Sequence, residues 1–498
     1  MHFSRMPATG DFLSGKSGQY KRMNFPLTKS QWSAWQSDFY ESPQNRLAQN
    51  VCTARDPINV CLRSLADLSA QVFSGERTWH AVEMQGKATT GGPGWICTGL
   101  DLLRQEMDRK VPLPADFELS AAHLFFWHKL ERCNYFLWTV ADLLMQCEPL
   151  DGRCFRHFMK NAIPDGGNWQ MFVNLVKKYG VMPKKCYLSS QRIRNMNKIL
   201  RSKLHEYASK LHAQFTFNGN GKQLPELIHS MIPQLFNVLS ICLGEPPEVF
   251  TWTYYDHKKR YQSLSDLTSV LFYEVIVAPT VDVDAYVCLG HDPRMSSSSW
   301  TNYQVTHSSN MIGGEMHRYN NQSMDVIMQI IVDSLAGDKP VWLSCDLHSR
   351  LSGKSEPLSL KSHKFDLVFG LEVGMSLSKA ERLIYKDTRR DAALLLTSVG
   401  LDPMNQPLQF RTISASVMGD SSSSVSINQD AEDGHKEEEL KKKSSKNKAI
   451  SMDADWLREY AFEIVVHEKF VPPNVLFASR IPHTKELPAW DPMGAFLK

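Results

Sequence analysis

The stretch from Ser120 to Gln146 constrains this chain most. Phe, Trp and Leu are so dense along it that no face is left polar enough for water. A helix that is apolar nearly all round belongs inside a large core. The chain has 498 residues, enough for about three domains or for one elaborated core. Hydrophobic residues make up 42% and charged residues 22%, the balance of an ordinary globular protein. A formal charge of +3 is too small to argue for nucleic acid by itself.

Other segments arrange themselves around that helix. Gly94 to Met107 carries Trp95, Leu100, Leu102, Leu103 and Met107 on a helical period, after a turn-rich lead-in with three Gly and one Pro. Asp165-Gly166-Gly167 is a turn before a helix over Asn168–Tyr179, which Gly180 ends. Ser189 to Phe217 reads as a basic amphipathic helix, its charge a solvated face rather than a nucleic-acid surface. Pro225 suits the first turn of a helix reaching Leu243, and Pro233 inside it is expected to kink or split it. Ser323–Ala336 reads as helix, and Val341–Cys345 and Asp391–Val399 as apolar strands. Met452 to Tyr460 is expected to start a helix, and Phe462–Val466 to alternate as a strand.

Residues 1–30 are Ser-rich and basic and read as a disordered extension, with a mitochondrial presequence as the alternative. Gly419 to Lys448 has four consecutive Ser, then acidic and basic runs, and reads as a solvated low-complexity loop. No apolar run approaches ~18 residues, so no membrane span is expected. Ten scattered Cys without a C-x-x-C pair disfavour a zinc ribbon and suit a reducing compartment.

Several segments together carry a resemblance. They are Ala122-His-Leu-Phe-Phe-Trp-His-Lys-Leu-Glu-Arg-Cys133, Asp165-Gly-Gly-Asn-Trp-Gln-Met-Phe-Val-Asn174, Lys178-Tyr-Gly-Val-Met-Pro-Lys-Lys-Cys186 and Cys242-Leu-Gly-Glu-Pro-Pro247. Ser309-Asn-Met-Ile-Gly-Gly314, Lys379-Ala-Glu-Arg-Leu383 and Leu487-Pro-Ala-Trp-Asp-Pro-Met-Gly-Ala495 follow in order. From about Trp32 onward the chain resembles the bleomycin hydrolase family of papain-like cysteine aminopeptidases. The resemblance implies an α+β papain-like fold, with a helical lobe, a β-barrel-like lobe and large helical insertions. In these terms residues 31–498 are the peptidase domain, with a helical insertion at about 189–262 and the low-complexity loop at 419–448.

The family's chemistry needs a Cys nucleophile, a His to carry the proton and an Asn to orient the imidazole, with a Gln at the oxyanion. Carried over by position, the Cys falls on Gly94, directly before Trp95. The His falls on Ala392, thirteen residues after Lys379. The Asn falls on Ser414, or on Ser416 if a two-residue gap lies earlier. The Gln falls on Ala88, and Gln85 replaces it only if the loop slips. Losing a triad nucleophile alone costs on the order of 10⁶ in kcat. The resemblance therefore points to a pseudoenzyme acting as a binding or structural subunit.

An active aminopeptidase rebuilt around Cys97 and a displaced His is the competing reading, and a nucleic-acid-binding oligomer a third. Cys97 lies about one helical turn past Gly94 and is expected to be an inert core thiol. Asp391 is expected to face away from Ala392, and His348 and His363 precede that segment. Substrate-type binding is expected at Asp165, Gly166 and Gly167, whose backbone can meet an extended peptide. The tail Gly494, Ala495, Phe496, Leu497 and Lys498 is expected to fill the cleft. No cofactor or metal is implied. The resemblance also implies a homo-oligomer, hexameric in the family, or a hetero-oligomer with an active paralogue, in the cytoplasm and off the membrane.

Overall fold

The computed structural model describes residues 26–497, apart from 63–77, 83–88, 90–91, 115, 189–192, 220, 257, 348–357, 374–375 and 414–449. The long apolar stretch is one helix, Ala121–Met145, capped by Ser120 through its hydroxyl and closed by Gln146. Phe126, His128, Lys129, Cys133, Phe136 and Val140 along it are fully buried. The Gly94–Asp108 helix lies beside it and is buried from Gly94 to Met107. A third helix, Trp169–Tyr179, starts at Asn168, whose side chain accepts from Met171 N–H. It ends at Gly180, where φ is +63° and a Cβ would strike Ser269 O at 2.1 Å.

The second lobe is a mixed sheet. Its strands are β1 (Thr78–Ala81), β4 (Tyr286–Gly290), β5 (Asn302–Val305), β6 (Arg318–Asn321), β7 (Val341–Cys345), β8 (Ala392–Leu401), β9 (Pro407–Ile413), β10 (Ile450–Asp453), β11 (Ala461–His467) and β12 (Thr484–Leu487). The order is β10-β9-β8-β7-β11-β4-β6-β5-β12. Where β7 leaves β8 after Leu396, β1 pairs with Ser398–Leu401. A separate hairpin joins β2 (Phe250–Tyr255) and β3 (Tyr261–Leu267).

Two cores result. One lies between the buried helices and the sheet and takes Trp342, Ala393, Leu395 and Val465. The other lies across the sheet under the helix Met324–Ala336 and takes Leu343, Cys345, Ala392, Leu394 and Ile464. Period-2 alternation thus sends neighbouring residues of one strand into opposite cores. The mixed sheet and buried helical layer agree with the expected α+β class.

Four expectations need correction. The helix Leu224–Leu243 is continuous through Pro233. That proline is exposed, so water can meet the carbonyl its ring leaves unbonded. Met452 belongs to β10, and the helix begins at Ala454 after Asp453. β11 is buried on both faces rather than alternating, because a core lies on each side of the sheet. The stretch Gly221–Leu243 is long and apolar enough by composition to cross a membrane, contrary to the sequence reading. Its residues Leu224, Ile228, Met231, Leu235, Leu239 and Leu243 form one buried stripe, as on an amphipathic helix packed along one face.

The expected basic helix runs over Ile193–Asn218. A capped helix starts at Lys29, inside the extension expected to be unstructured, because Thr28 and Gln31 form a capping box. The loop 419–448 and residues 1–25 lie outside the described residues.

Candidate functional site

Gly94 is the first residue of its helix, and Pro93 before it offers no side-chain cap. The position is buried against the sheet lobe, and Thr98 Oγ1 donates to Ala393 O at 3.1 Å. This bond ties the helix to the first residues of β8. Ala392 opens β8, pairs with Cys345 and is packed in the core beneath Met324–Ala336. Neither residue carries a group able to attack a carbonyl or move a proton. Ser414, Ser416, Ala88, Gln85, His348 and Lys498 lie outside the described residues.

The candidate replacement groups are not activated. Cys97 is buried, its thiol facing Gly92 O at 3.5 Å, and burial first and Asp101 second push its pKa up to about 12. A nucleophilic thiol needs the opposite shift. Asp391 accepts from Leu347 N–H at 2.9 Å and is buried. His363 pairs with Leu62 and stacks on Phe365.

The glycine strip is held from below. Trp95 Nε1–H donates to Asp165 O at 3.0 Å. The buried Lys129 ammonium pairs with the Asp165 carboxylate and donates to Pro164 O at 3.1 Å. Asn197 Nδ2 donates to the same carboxylate at 2.9 Å. A Cβ on Gly167 would sit 2.6 Å from the Trp95 ring. The residue after Gly94 therefore sets the height of the strip.

The C-terminal segment lies on that strip. Gly167 N–H donates to Leu497 O at 3.0 Å, and Leu497 N–H donates back to Gly167 O at 2.8 Å. Together these bonds form an isolated antiparallel bridge. Leu497 is fully buried, and the Phe496 ring lies 5.4 Å from the Arg132 guanidinium carbon. Upstream, Arg294 holds Asp491 through two bonds of 3.0 and 2.9 Å, and Gly494 packs against Val305 where a Cβ would clash. The structure thus brings Gly166 and Gly167 together with Phe496 and Leu497. The volume left beside Phe496, lined by Arg132, His157, His307 and Gly494 among others, is about 10 Å³, room for roughly one water.

Sequence reasoning missed a buried ionic cluster under this segment. Glu463 of β11, His317 before β6, Cys288 of β4 and Arg390 before β8 converge there. His317 Nε2 lies 2.8 Å from Glu463 Oε2, and Arg390 Nη1 lies 2.5 Å from the same oxygen. Ser344 Oγ donates to Glu463 Oε1 at 3.2 Å. Burial alone would raise the Glu463 pKa, but Arg390 and His317 bring it down to about 2. Burial holds His317 below its ordinary value, against the pull of Glu463. The Cys288 thiol is pushed well up by burial and by Glu463, so its nearness to His317 makes no thiolate.

Cys, His and Glu at such distances have the composition of a metal site. The guanidinium already stands among them as the cation, so the donor set does not fit a metal as well. One sequence hint was Arg389-Arg390 ahead of an apolar strand, and nothing in it says which arginine turns inward.

Comparison with known proteins adds a lineage to this geometry. The model of the Peptidase C1-like family matches residues 26–424 and 424–494. Bleomycin hydrolase of Gallus gallus is 35% identical over 464 residues, covering 92% of this chain and 95% of that protein. Bleomycin hydrolase of Homo sapiens is 34% identical over 461 residues, covering 91% and 95%. Cysteine proteinase 1, mitochondrial, of Saccharomyces cerevisiae is 26% identical over 96% of the chain and 94% of that protein. Among solved structures, PepW from Lactobacillus rhamnosis superposes with a TM-score of 0.81 at 22% identity, over 95% of this chain and 99% of that one. That likeness concerns the fold.

Proposed function

The chain belongs to the Peptidase C1-like family, and from that membership we propose that it is a catalytically silent peptidase scaffold acting as a peptide-binding or structural subunit. The observation that carries this reading is Gly94 at the head of the site helix, where the family's thiolate would use the helix N-terminus. A hydrogen atom there leaves nothing to form an acyl-enzyme. Ala392 offers no imidazole, so proton delivery fails independently.

What persists is a surface for an extended peptide. The Gly166–Gly167 edge presents one donor and one acceptor of a strand, and Leu497 uses both. Assembly into a hexamer, with itself or with an active relative, and a cytoplasmic location complete the proposal. An active enzyme using another cysteine finds no support in Cys97 or Cys288, whose thiols are both held protonated.

The test is turnover of an aminoacyl fluorogenic substrate, with and without prior thiol alkylation. No turnover is expected in either arm. Turnover abolished by alkylation would overturn the proposal.

A further inference from the structure

Arg390 is fully buried and divides its donors among three partners. Nη1 faces Glu463 and His317, while Nε donates to Ala495 O at 2.8 Å. Glu463 fixes the charge and plane of the guanidinium, and Ser344, with Trp342 behind it, fixes the carboxylate. His317 is itself held, its N–H donating to Ser308 Oγ at 2.8 Å. Of the cluster's contacts, the bond to Ala495 O is the one that reaches the C-terminal segment.

The segment needs such a hold. Its bridge to Gly167 has two neutral hydrogen bonds, each contributing about 0.5–1.5 kcal/mol net. Fixing the backbone of each residue costs roughly 1–2 kcal/mol. Ordering Ala495, Phe496 and Leu497 therefore consumes most of what the bridge and the Leu497 side chain supply. A charged donor, already ordered by Glu463, adds a stronger bond without ordering cost of its own.

We propose that Arg390, set by Glu463 and His317, is a latch that holds the C-terminal segment on the Gly166–Gly167 edge through its bond to Ala495 O. Arg390 is a positioning residue in this account. The latch takes from the proposed function only that the edge accepts peptide. It operates whether or not the scaffold can hydrolyse what binds.

The test uses the full chain with Arg390→Met, which removes the charge and both donors, and Arg390→Lys, which keeps a charge for Glu463 but loses the Nε geometry. Hydrogen exchange at the Leu497 and Gly167 amides is read against the amides of the Ala121–Met145 helix, which carries no member of the cluster. Both variants are expected to speed exchange at the bridge about 10- to 100-fold, the loss of one hydrogen bond to a charged group, with the Ala121–Met145 helix unchanged. Fluorescein-labelled Pro-Met-Gly-Ala-Phe-Leu-Lys, the sequence of the chain's own end, should then bind Arg390→Met and not the parent protein.

Bridge exchange within twofold of the parent in a folded variant would overturn the latch. So would unfolding of both variants, which would make Arg390 a core charge and nothing more. Faster exchange without peptide binding would leave the latch standing and remove the peptide-binding reading of the edge.

Discussion

Gly166→Ala is the sharpest structural probe of the occluded cleft. Gly166 is not in the left-handed backbone region, so an alanine there is opposed by space alone. Its Cβ would lie 2.6 Å from Leu497 O and 2.9 Å from Phe496 Cβ. Neither atom can retreat while the Leu497 bridge to Gly167 is kept. The bridge supplies about 1–3 kcal/mol from two hydrogen bonds, and burial of Leu497 about 2 kcal/mol. Against this stands the ordering cost of roughly 1–2 kcal/mol per residue.

The net hold on the segment is thus a few kcal/mol at most, and a clash larger than that expels it. The loss of stability should therefore plateau near about 2 kcal/mol. The assay is a cycle of thermal or urea stability in the parent and in a chain lacking residues 496–498, each with and without Gly166→Ala. The substitution should destabilise the full chain and cost under about 0.5 kcal/mol in the shortened one. Equal losses in both backgrounds would refute the reasoning, because the clash would then be with something other than the segment.

Other outcomes follow from the same geometry. Cys97, with its pKa near 12 rather than 9, should be alkylated about a thousandfold more slowly than exposed Cys147, read by peptide mass spectrometry. His123 is buried and its pKa is lowered to about 4. An unfolded His, near 6.5, binds its proton first, so stability is full above pH 6.5 and falls as pH drops toward 4. The loss is roughly 3 kcal/mol from this residue, checked by denaturation at pH 7 and pH 4.5 against His123→Gln, which should show a smaller loss. Gly94→Cys alone should yield one additional thiol that reacts fast at pH 6, without turnover, since Ala392 offers no base.

Much of the fold was legible. The Ala121–Met145 helix and strand β7 declare themselves by unbroken apolarity, and Ser120, Asn168 and Gly180 mark ends by their own chemistry. Pro233 misled because propensity speaks of an isolated helix, while an exposed proline on a packed one is tolerated. β10 was missed because a strand of four residues ahead of a helix carries no period of its own.

The proposed loss of the nucleophile was legible from Gly94 and Trp95, which adjoin within one motif. The ionic cluster was not. Cys288, His317, Arg390 and Glu463 belong to four separate segments, and they meet only because β8, β7, β11, β4 and β6 are consecutive in the sheet. Strand order is a property of the closed fold and leaves no mark on any one strand. A lone buried Glu463 inside an apolar run was the available signal, since such a charge requires a partner.

One measurement reaches the central claim most directly: intact-mass analysis of the full chain during incubation with an aminoacyl fluorogenic substrate and a mechanism-based acylating probe for cysteine peptidases. The account predicts no mass increment at any cysteine and no released fluorophore. A covalent acyl adduct on a cysteine, accompanied by turnover, would contradict it.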